Sequence, residues 1–299
     1  MAVHYFGFPS DIRRFRTLCD RYNLLLIEDC AHVLEGVVSQ HRFGEIGDFS
    51  VFSPRKFLPI FDGGRLRLNR NARDFYPRLA FEGPLFTLRV AKNLIDDWRR
   101  PVPPLSAQLN HLSHAEESEG AQRAEKGRPS RQGPLHVQPK DVSFLPWMAD
   151  FPMSRLSKHL LCHFPISDIA SRRRNNYSYL VEKVSLVEGA EPMFPDLPDG
   201  VVPWVLPLAL GQRPNLHKSM RSLGIPAVTW GAVRHPQISA DEFPEADFLY
   251  EHLAFLPIHQ DLQRPHLDLI AEAVKAVCRT GKPAPNPIHI HKITSEVGH

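Results

Sequence analysis

A run of four apolar residues, 24–27, leads directly into the carboxylates Glu28 and Asp29. A continuous apolar run of this length predicts a parallel strand whose two faces are both covered. The preceding residues, 10–22, place apolar side chains at helical spacing behind an N-cap predicted at Ser10. Because a helix followed by a buried strand is half of a β–α–β unit, the sequence predicts an α/β protein.

Short apolar runs and amphipathic segments continue to alternate along the chain, with an Asp-Gly-Gly turn signal at 62–64. The clearest helical periodicity lies at 166–184, and the three arginines 172–174 within it are interpreted as a solvated helix face. The order predicts an α/β part followed by a smaller α+β part. The predicted strands are 49–52, 65–68, 201–210 and 226–230, and the predicted helices are 71–100 (in part), 166–184, 217–223 and 267–277.

Two polar segments set the predicted domain limits. Residues 106–140 contain almost no large apolar side chains, so they cannot bury enough surface to offset the entropy lost on ordering. We therefore predict a disordered insertion at 106–140 and a flexible tail at 283–299. The α/β domain is expected at 1–105 and the C-terminal domain, with its connecting helix, at 141–282.

Composition excludes several classes of protein. A formal net charge of +3 is too weak to indicate nucleic-acid binding. The four cysteines lack the paired spacing of a zinc site and are too few for a disulfide scaffold, so we expect no metal and a reducing cytoplasm. No stretch approaches the roughly 20 apolar residues of a membrane span.

Reactive side chains collect near the predicted ends of two strands. Asp29 and His32 follow the first apolar run, and Ser50, Ser53 and Lys56 lie in or just after the second. A pyridoxal-phosphate site needs a lysine for imine formation, a carboxylate for the ring nitrogen, and hydroxyl or N–H donors for the phosphate. In open α/β sheets such groups gather at the carboxyl ends of strands, so together these residues predict that cofactor.

The segments around these residues resemble the DegT family of sugar aminotransferases, which are fold type I pyridoxal-phosphate enzymes. The matching pieces occur in the family's order from about residue 3 to about residue 278. The resemblance implies an incomplete fold type I large domain, mostly parallel sheet with helices, followed by the smaller α+β domain. The pieces are VHYFGFPSDI, IEDCAHVLEG, FGEIGDFSVFSPRKFLPIFDGG, IASRRRNNYSYL and FLPIHQDL.

The resemblance also implies a role for each candidate. Asp29 would pair with the pyridine nitrogen, and His32 would lie beside the ring and its phenolic oxygen. Ser50 would bind phosphate, with Ser53 as the competing choice. Lys56 would bond to the cofactor and then move the proton of the substrate. The implied reaction transfers an amino group from an amino acid such as glutamate to a keto sugar, usually nucleotide-linked, in a homodimer.

Two departures from the family keep alternatives open. No counterpart of the family's N-terminal phosphate-binding turn and stacking aromatic precedes Asp29, so we expect an N-terminally truncated relative. Ser50 lies six residues before Lys56, where many members have five. The alternatives are a non-catalytic relative that acts through a partner, and a sugar-modifying dehydratase branch. The presence of Lys56 counts against the branch that replaces this lysine with histidine.

Overall fold

A four-stranded sheet with the strand order β1-β2-β5-β6 forms the N-terminal part of the protein. The first three strands run parallel, and β6 pairs antiparallel with β5. This computed structural model describes residues 1–34, 37–38, 41–60, 62–69, 79, 84–98, 150–210, 214–229 and 241–279. The strands are β1 (Ala2–Val3), β2 (Ile27–Cys30), β5 (Phe49–Phe52) and β6 (Arg65–Leu68), and β3 (Val37–Val38) pairs with β4 (His41–Arg42) in a separate hairpin.

Helix α1 (Ile12–Arg21) connects β1 to β2, as the periodicity predicts. Its N-cap is Asp11, whose Oδ1 accepts a hydrogen bond from Arg14 N at 3.2 Å. The prediction of Ser10 as the cap is wrong, because the Ser10 backbone N–H donates to His4 Nδ1 at 3.1 Å instead. Ser10, two residues before the helix, is therefore tied through its N–H to the segment that follows β1.

Strand β2 begins later than the apolar run that predicts it. Only Leu26 of the predicted run is fully buried, whereas Leu24 and Leu25 are exposed. Within β2 the side chains alternate, so Glu28 and Cys30 are buried and Ile27 is exposed. The expectation that both faces of this strand are covered is therefore wrong: one face is open at Ile27, and also at Val51 and Leu66 on the neighbouring strands.

The C-terminal part is built on an antiparallel sheet in the order β7-β8-β9. Its strands are β7 (Ala190–Pro192), β8 (Leu206–Leu210) and β9 (Leu253–Leu256). The predicted strand at 226–230 reduces to a bridge between Val228 and Phe255 among the described residues. The remaining helices are α2 (Pro84–Trp98), α3 (Arg155–His163), α4 (Ile166–Val184), α5 (Leu216–Ser222), α6 (Pro244–His252) and α7 (Arg264–Arg279).

The predicted Asp-Gly-Gly turn ties the two parts together at the start of α3. Asp62 accepts hydrogen bonds from Ser154 N at 2.6 Å and from Ser154 Oγ at 2.8 Å, and also from Ser157 Oγ. Gly63 has a positive φ of 96°, and a Cβ there would collide with Met153. A side chain at Gly63 is thus excluded both by backbone conformation and by space.

One hydrophobic core joins the two predicted domains. Phe6, Phe57 and Leu58 of the N-terminal part pack in the same cluster as Tyr177 of α4 and Leu256 of β9. The domain limits at 105 and 141 stay a prediction. The predicted insertion at 106–140 and tail at 283–299 lie outside the described residues.

Candidate functional site

Asp29 is the third residue of β2 and lies at the carboxyl end of that parallel strand. Its register partners are Val3 in β1 and Val51 in β5, so its side chain is on the open face of the sheet. The carboxylate Oδ1 accepts from the backbone N–H of Ala31 at 2.9 Å. This hydrogen bond holds Asp29 at the turn that follows the strand.

His32 lies in that turn. Its side chain is buried, and one ring nitrogen accepts a hydrogen bond. The Phe6 N–H donates to Nδ1 at 3.2 Å, so the neutral ring carries its hydrogen on Nε2. The imidazole stacks on the indole of Trp204, with ring centroids 4.2 Å apart and an interplanar angle of 26°. Burial, and then the nearby charge of Lys56, lowers the pKa of His32 to about 3. His32 is therefore a neutral hydrogen-bond donor at physiological pH.

Lys56 ends a short 3-10 turn, Pro54–Lys56, that directly follows β5. The turn is closed by the hydrogen bond from Lys56 N to the Ser53 carbonyl oxygen, at 3.1 Å. Lys56 Nζ lies 4.4 Å from the ring centroid of Trp204. The structure thus brings Lys56 and His32, predicted from separate segments, onto the same indole.

The two candidate serines differ in their surroundings. Ser50 is fully buried, pairs in register with Glu28, and donates from Oγ to the Gly44 carbonyl oxygen at 2.8 Å. It therefore lies on the sheet face opposite Asp29. Ser53 is partly buried and immediately precedes the turn that carries Lys56.

Arg173 belongs to the site although its sequence context predicts a solvated residue. It is 2% exposed, which corrects the interpretation of the arginine run at this position. Nη1 donates to the Trp204 carbonyl oxygen at 2.8 Å, and Nε donates to Gln260 Oε1 at 2.8 Å. Gln260 in turn donates to the Phe57 carbonyl oxygen at 3.0 Å. Arg173 thus fixes the backbone on both sides of the Lys56–Trp204 contact.

Glu28 supports the site from the covered face of the sheet. It accepts hydrogen bonds from the backbone of Ile46 at 2.8 Å, from Gly47, and from His4 Nε2 at 3.1 Å. Burial opposes its ionisation, but the hydrogen bonds from His4 and Gly47 outweigh burial and lower its pKa. Ligand atoms of His4, Glu28 and Cys30 lie within 4.8 Å of one another. Burial raises the pKa of the Cys30 thiol, so the thiol stays protonated beside the hydrogen-bonded pair of His4 and Glu28.

Two cavities meet at Lys56. The smaller has a volume of about 70 Å³ and lies between Lys56, Arg173 and Trp204. The larger has a volume of about 520 Å³, enough for a small organic ligand. Its lining includes the cationic side chains of Arg55, Lys56 and Arg172.

Comparison with known proteins identifies the N-terminal segment. Residues 1–74 match the DegT/DnrJ/EryC1/StrS aminotransferase family. This chain is 47% identical over 71 residues to GDP-perosamine synthase of Vibrio cholerae, covering 23% of this chain and 19% of the relative. It is 33% identical over 67 residues to the UDP-N-acetyl-3-dehydro-alpha-D-glucosamine 3-aminotransferase of Acidithiobacillus ferrooxidans, covering 21% and 18%.

Solved aminotransferases share the fold over most of the chain. PseC of Helicobacter pylori, an aminotransferase of pseudoaminic acid biosynthesis, aligns with a TM-score of 0.58 at 16% identity, over 93% of this chain and 66% of its own. DesV of S. venezuelae, in complex with a ketimine intermediate, aligns with a TM-score of 0.55 at 20% identity, over 92% and 64%. The predicted α/β architecture of fold type I is confirmed. The chain spans about a fifth of the curated relatives it matches and under two thirds of PseC and DesV.

The match to the DegT-type family covers the segments that carry Asp29, His32, Ser50, Ser53 and Lys56. Trp204 and Arg173, from the C-terminal part, are the site residues that the sequence does not single out. Helical spacing could have found Arg173, because it falls on the buried side of α4 with Ile169 and Tyr177. In the described part of the chain, no helix is long and apolar enough to cross a membrane.

Proposed function

We propose that this chain belongs to a pyridoxal-phosphate-dependent aminotransferase that transfers an amino group from an amino acid, such as glutamate, to a keto sugar. The observation that carries the proposal is the convergence of Lys56 and His32 on one aromatic ring, beside the strand end that holds Asp29. These groups lie at the carboxyl ends of neighbouring parallel strands, where ligands bind in open α/β sheets.

The chemistry of these donors fits the ring end of pyridoxal phosphate. A primary amine, a carboxylate and a neutral imidazole are the groups that an aldehyde, a protonated pyridine nitrogen and a phenolic oxygen require. The indole of Trp204 stands where His32 and Lys56 meet, which indicates that a flat aromatic ring can occupy the space between them. For the phosphate, Ser53 fits better than Ser50, since the Ser50 hydroxyl is committed to Gly44.

Each residue has a defined task in the proposed reaction. When bound, the cofactor supplies an aldehyde to carry the amino group and a protonated ring to draw electrons. The Asp29 carboxylate would hold the proton on the ring nitrogen, and the Nε2–H of His32 would donate to the adjacent oxygen. Lys56 Nζ would hold the aldehyde and, as a neutral amine, would take the proton from the α-carbon of the amino donor and return it to the product.

The acceptor is proposed to be a nucleotide-linked keto sugar. The names of the two curated relatives support a sugar substrate. The 520 Å³ cavity has room for part of such a substrate, and its lining carries three basic side chains, Arg55, Lys56 and Arg172, against the carboxylates of Asp168 and Asp261. A homodimer and a cytoplasmic location remain predictions.

The proposal is tested by adding pyridoxal phosphate to the purified chain and recording its visible absorbance band. Lys56→Ala should abolish the band, whereas the matched surface change Lys92→Ala should leave it unchanged. Incubation of the loaded protein with glutamate and a nucleotide-linked keto sugar should yield the amino sugar. A folded protein that gives no band refutes the proposal.

A non-catalytic relative is the second candidate, and the position of Trp204 favours it. The indole already contacts both His32 and Lys56, so cofactor binding must compete with these internal contacts. Isothermal titration separates the two functions. Tight binding of pyridoxal phosphate by the chain would exclude the non-catalytic candidate.

A further inference from the structure

The Trp204 side chain makes two contacts that a bound aromatic cofactor would need for itself. Its indole stacks on His32 at 4.2 Å between centroids, and Lys56 Nζ lies 4.4 Å from its ring. These distances are those of direct contact, so no second ring fits between the indole and either residue. Trp204 is only 9% exposed, which makes this arrangement part of the protein interior.

The backbone of Trp204 is anchored on both sides. Its N–H donates to the Phe6 carbonyl oxygen at 2.9 Å, and its own carbonyl oxygen accepts from Arg173 Nη1 at 2.8 Å. A change of position at this residue therefore has to come from rotation of the side chain. The 70 Å³ cavity beside the indole, between Lys56, Arg173 and Phe255, offers part of the space for that rotation.

We infer that Trp204 is a gate of the cofactor slot: its indole occupies the slot in the free chain, in contact with His32 and Lys56, and turns aside when an aromatic aldehyde binds. The inference rests on the proposed function. Trp204 therefore controls access of the aldehyde to the Lys56 amine. Its contacts with His32 and Lys56 are the interactions that the incoming ring must replace.

Because the indole and the cofactor compete for this position, removal of the indole should speed the reaction of the cofactor with Lys56. An aromatic stack and a cation–π contact each correspond to roughly a threefold to tenfold change in an equilibrium. Trp204→Ala should therefore raise the rate at which pyridoxal phosphate labels Lys56 by about tenfold. Trp204→Phe, which keeps an aromatic ring in the slot, should stay close to the wild-type rate.

The test measures covalent labelling of Lys56 in wild-type, Trp204→Ala and Trp204→Phe chains, with Tyr22→Ala, at an aromatic residue that is 59% exposed, as the control. The Lys56 nitrogen forms a C=N bond to the aldehyde carbon, water leaves, and added borohydride reduces the bond to a stable amine. Mass spectrometry of the Lys56 peptide then gives the rate. Formaldehyde with cyanoborohydride serves as a second probe, because a one-carbon aldehyde does not need the slot.

Faster labelling of Trp204→Ala by pyridoxal phosphate, with little change toward formaldehyde, supports the gate. Equal rates in the wild type and Trp204→Ala overturn it, as does the same acceleration with both aldehydes, which would reflect simple exposure. Absence of labelling in all variants refutes the proposed function itself. If Trp204→Ala does not fold, wild-type tryptophan emission must change on cofactor addition and Trp204→Phe must lack that change; an identical response overturns the gate.

Discussion

The carboxylate of Glu28 lies 3.1 Å from Nε2 of His4, and both side chains are almost fully buried. The Ser10 N–H donates to the other ring nitrogen of His4, so Nε2 carries the hydrogen that Glu28 accepts. The same carboxylate accepts from the backbone of Ile46 and Gly47. The pair therefore connects the segment after β1, strand β2 and the loop before β5.

Glu28→Gln should destabilise the protein by about 1–3 kcal/mol at neutral pH, since an amide weakens the hydrogen bonds that the buried carboxylate accepts. The wild-type pKa is lowered on folding, so its stabilising effect is present above the unfolded value of about 4.5. That effect is lost as the pH falls through the folded pKa. Urea unfolding of both proteins between pH 7 and pH 3 checks this, and a parallel pH dependence in Glu28→Gln would contradict it.

His32 should reduce stability in mildly acidic solution. Its folded pKa is about 3, below the ordinary value of 6.5, so the unfolded chain binds the proton more readily. Between pH 7.5 and pH 5 this difference should cost up to about 2 kcal/mol. His32→Gln, which cannot titrate, should show a flatter dependence of the free energy of unfolding over that range. His32 resonances that shift near pH 6 in NMR spectra of the folded protein would count against the prediction.

Arg173→Met should lower stability by about 3 kcal/mol, because it leaves the Trp204 carbonyl and Gln260 without their buried donor. Arg172→Met is the matched control on the same helix. The Arg172 side chain is 58% exposed, so its replacement should change stability by no more than about 0.5 kcal/mol. Chemical denaturation measures both, and equal effects would place the two arginines in the same environment.

Substitutions at Ser53 and Ser50 should have different effects, the first on cofactor binding and the second on stability. Ser53→Ala should weaken pyridoxal-phosphate binding about threefold to tenfold with little change in stability, since it removes one proposed phosphate donor. Ser50→Ala should lower stability by about 1 kcal/mol, because the Gly44 carbonyl loses one of its two donors and keeps only Asn69 Nδ2, at 2.7 Å. Titration with the cofactor and thermal unfolding distinguish the two variants. The reverse pattern would restore Ser50 as the phosphate residue.

Sequence patterns predict the helices and strands whose formation depends on neighbouring residues. The periodicity at 166–184 coincides with α4, and the segments 49–52 and 65–68 coincide with β5 and β6. The start of β2 is missed because the apolar run 24–27 predicts burial, whereas pairing begins at Ile27 with β5 and at Glu28 with β1.

The candidate site also combines residues that the sequence predicts with residues that only tertiary packing brings together. Asp29, His32 and Lys56 lie within 28 residues of sequence, so their residue types alone predict the chemistry of the site. Trp204 reaches them only through tertiary packing, and Arg173 is buried by contacts with Gln260 and Trp204 far along the chain. No sequence motif near Lys56 carries that information.

The hydrogen bonds between Asp62 and Ser154 join residues 92 positions apart. They close a loop around the polar stretch 106–140, and the entropic cost of closing a loop grows only slowly with its length. The length of that stretch is thus uncoupled from the register between the Lys56 turn and α3. Shortening or replacing it is the natural place to re-engineer this chain, because Asp62 and Ser154, on either side of it, are held to each other by their own hydrogen bonds.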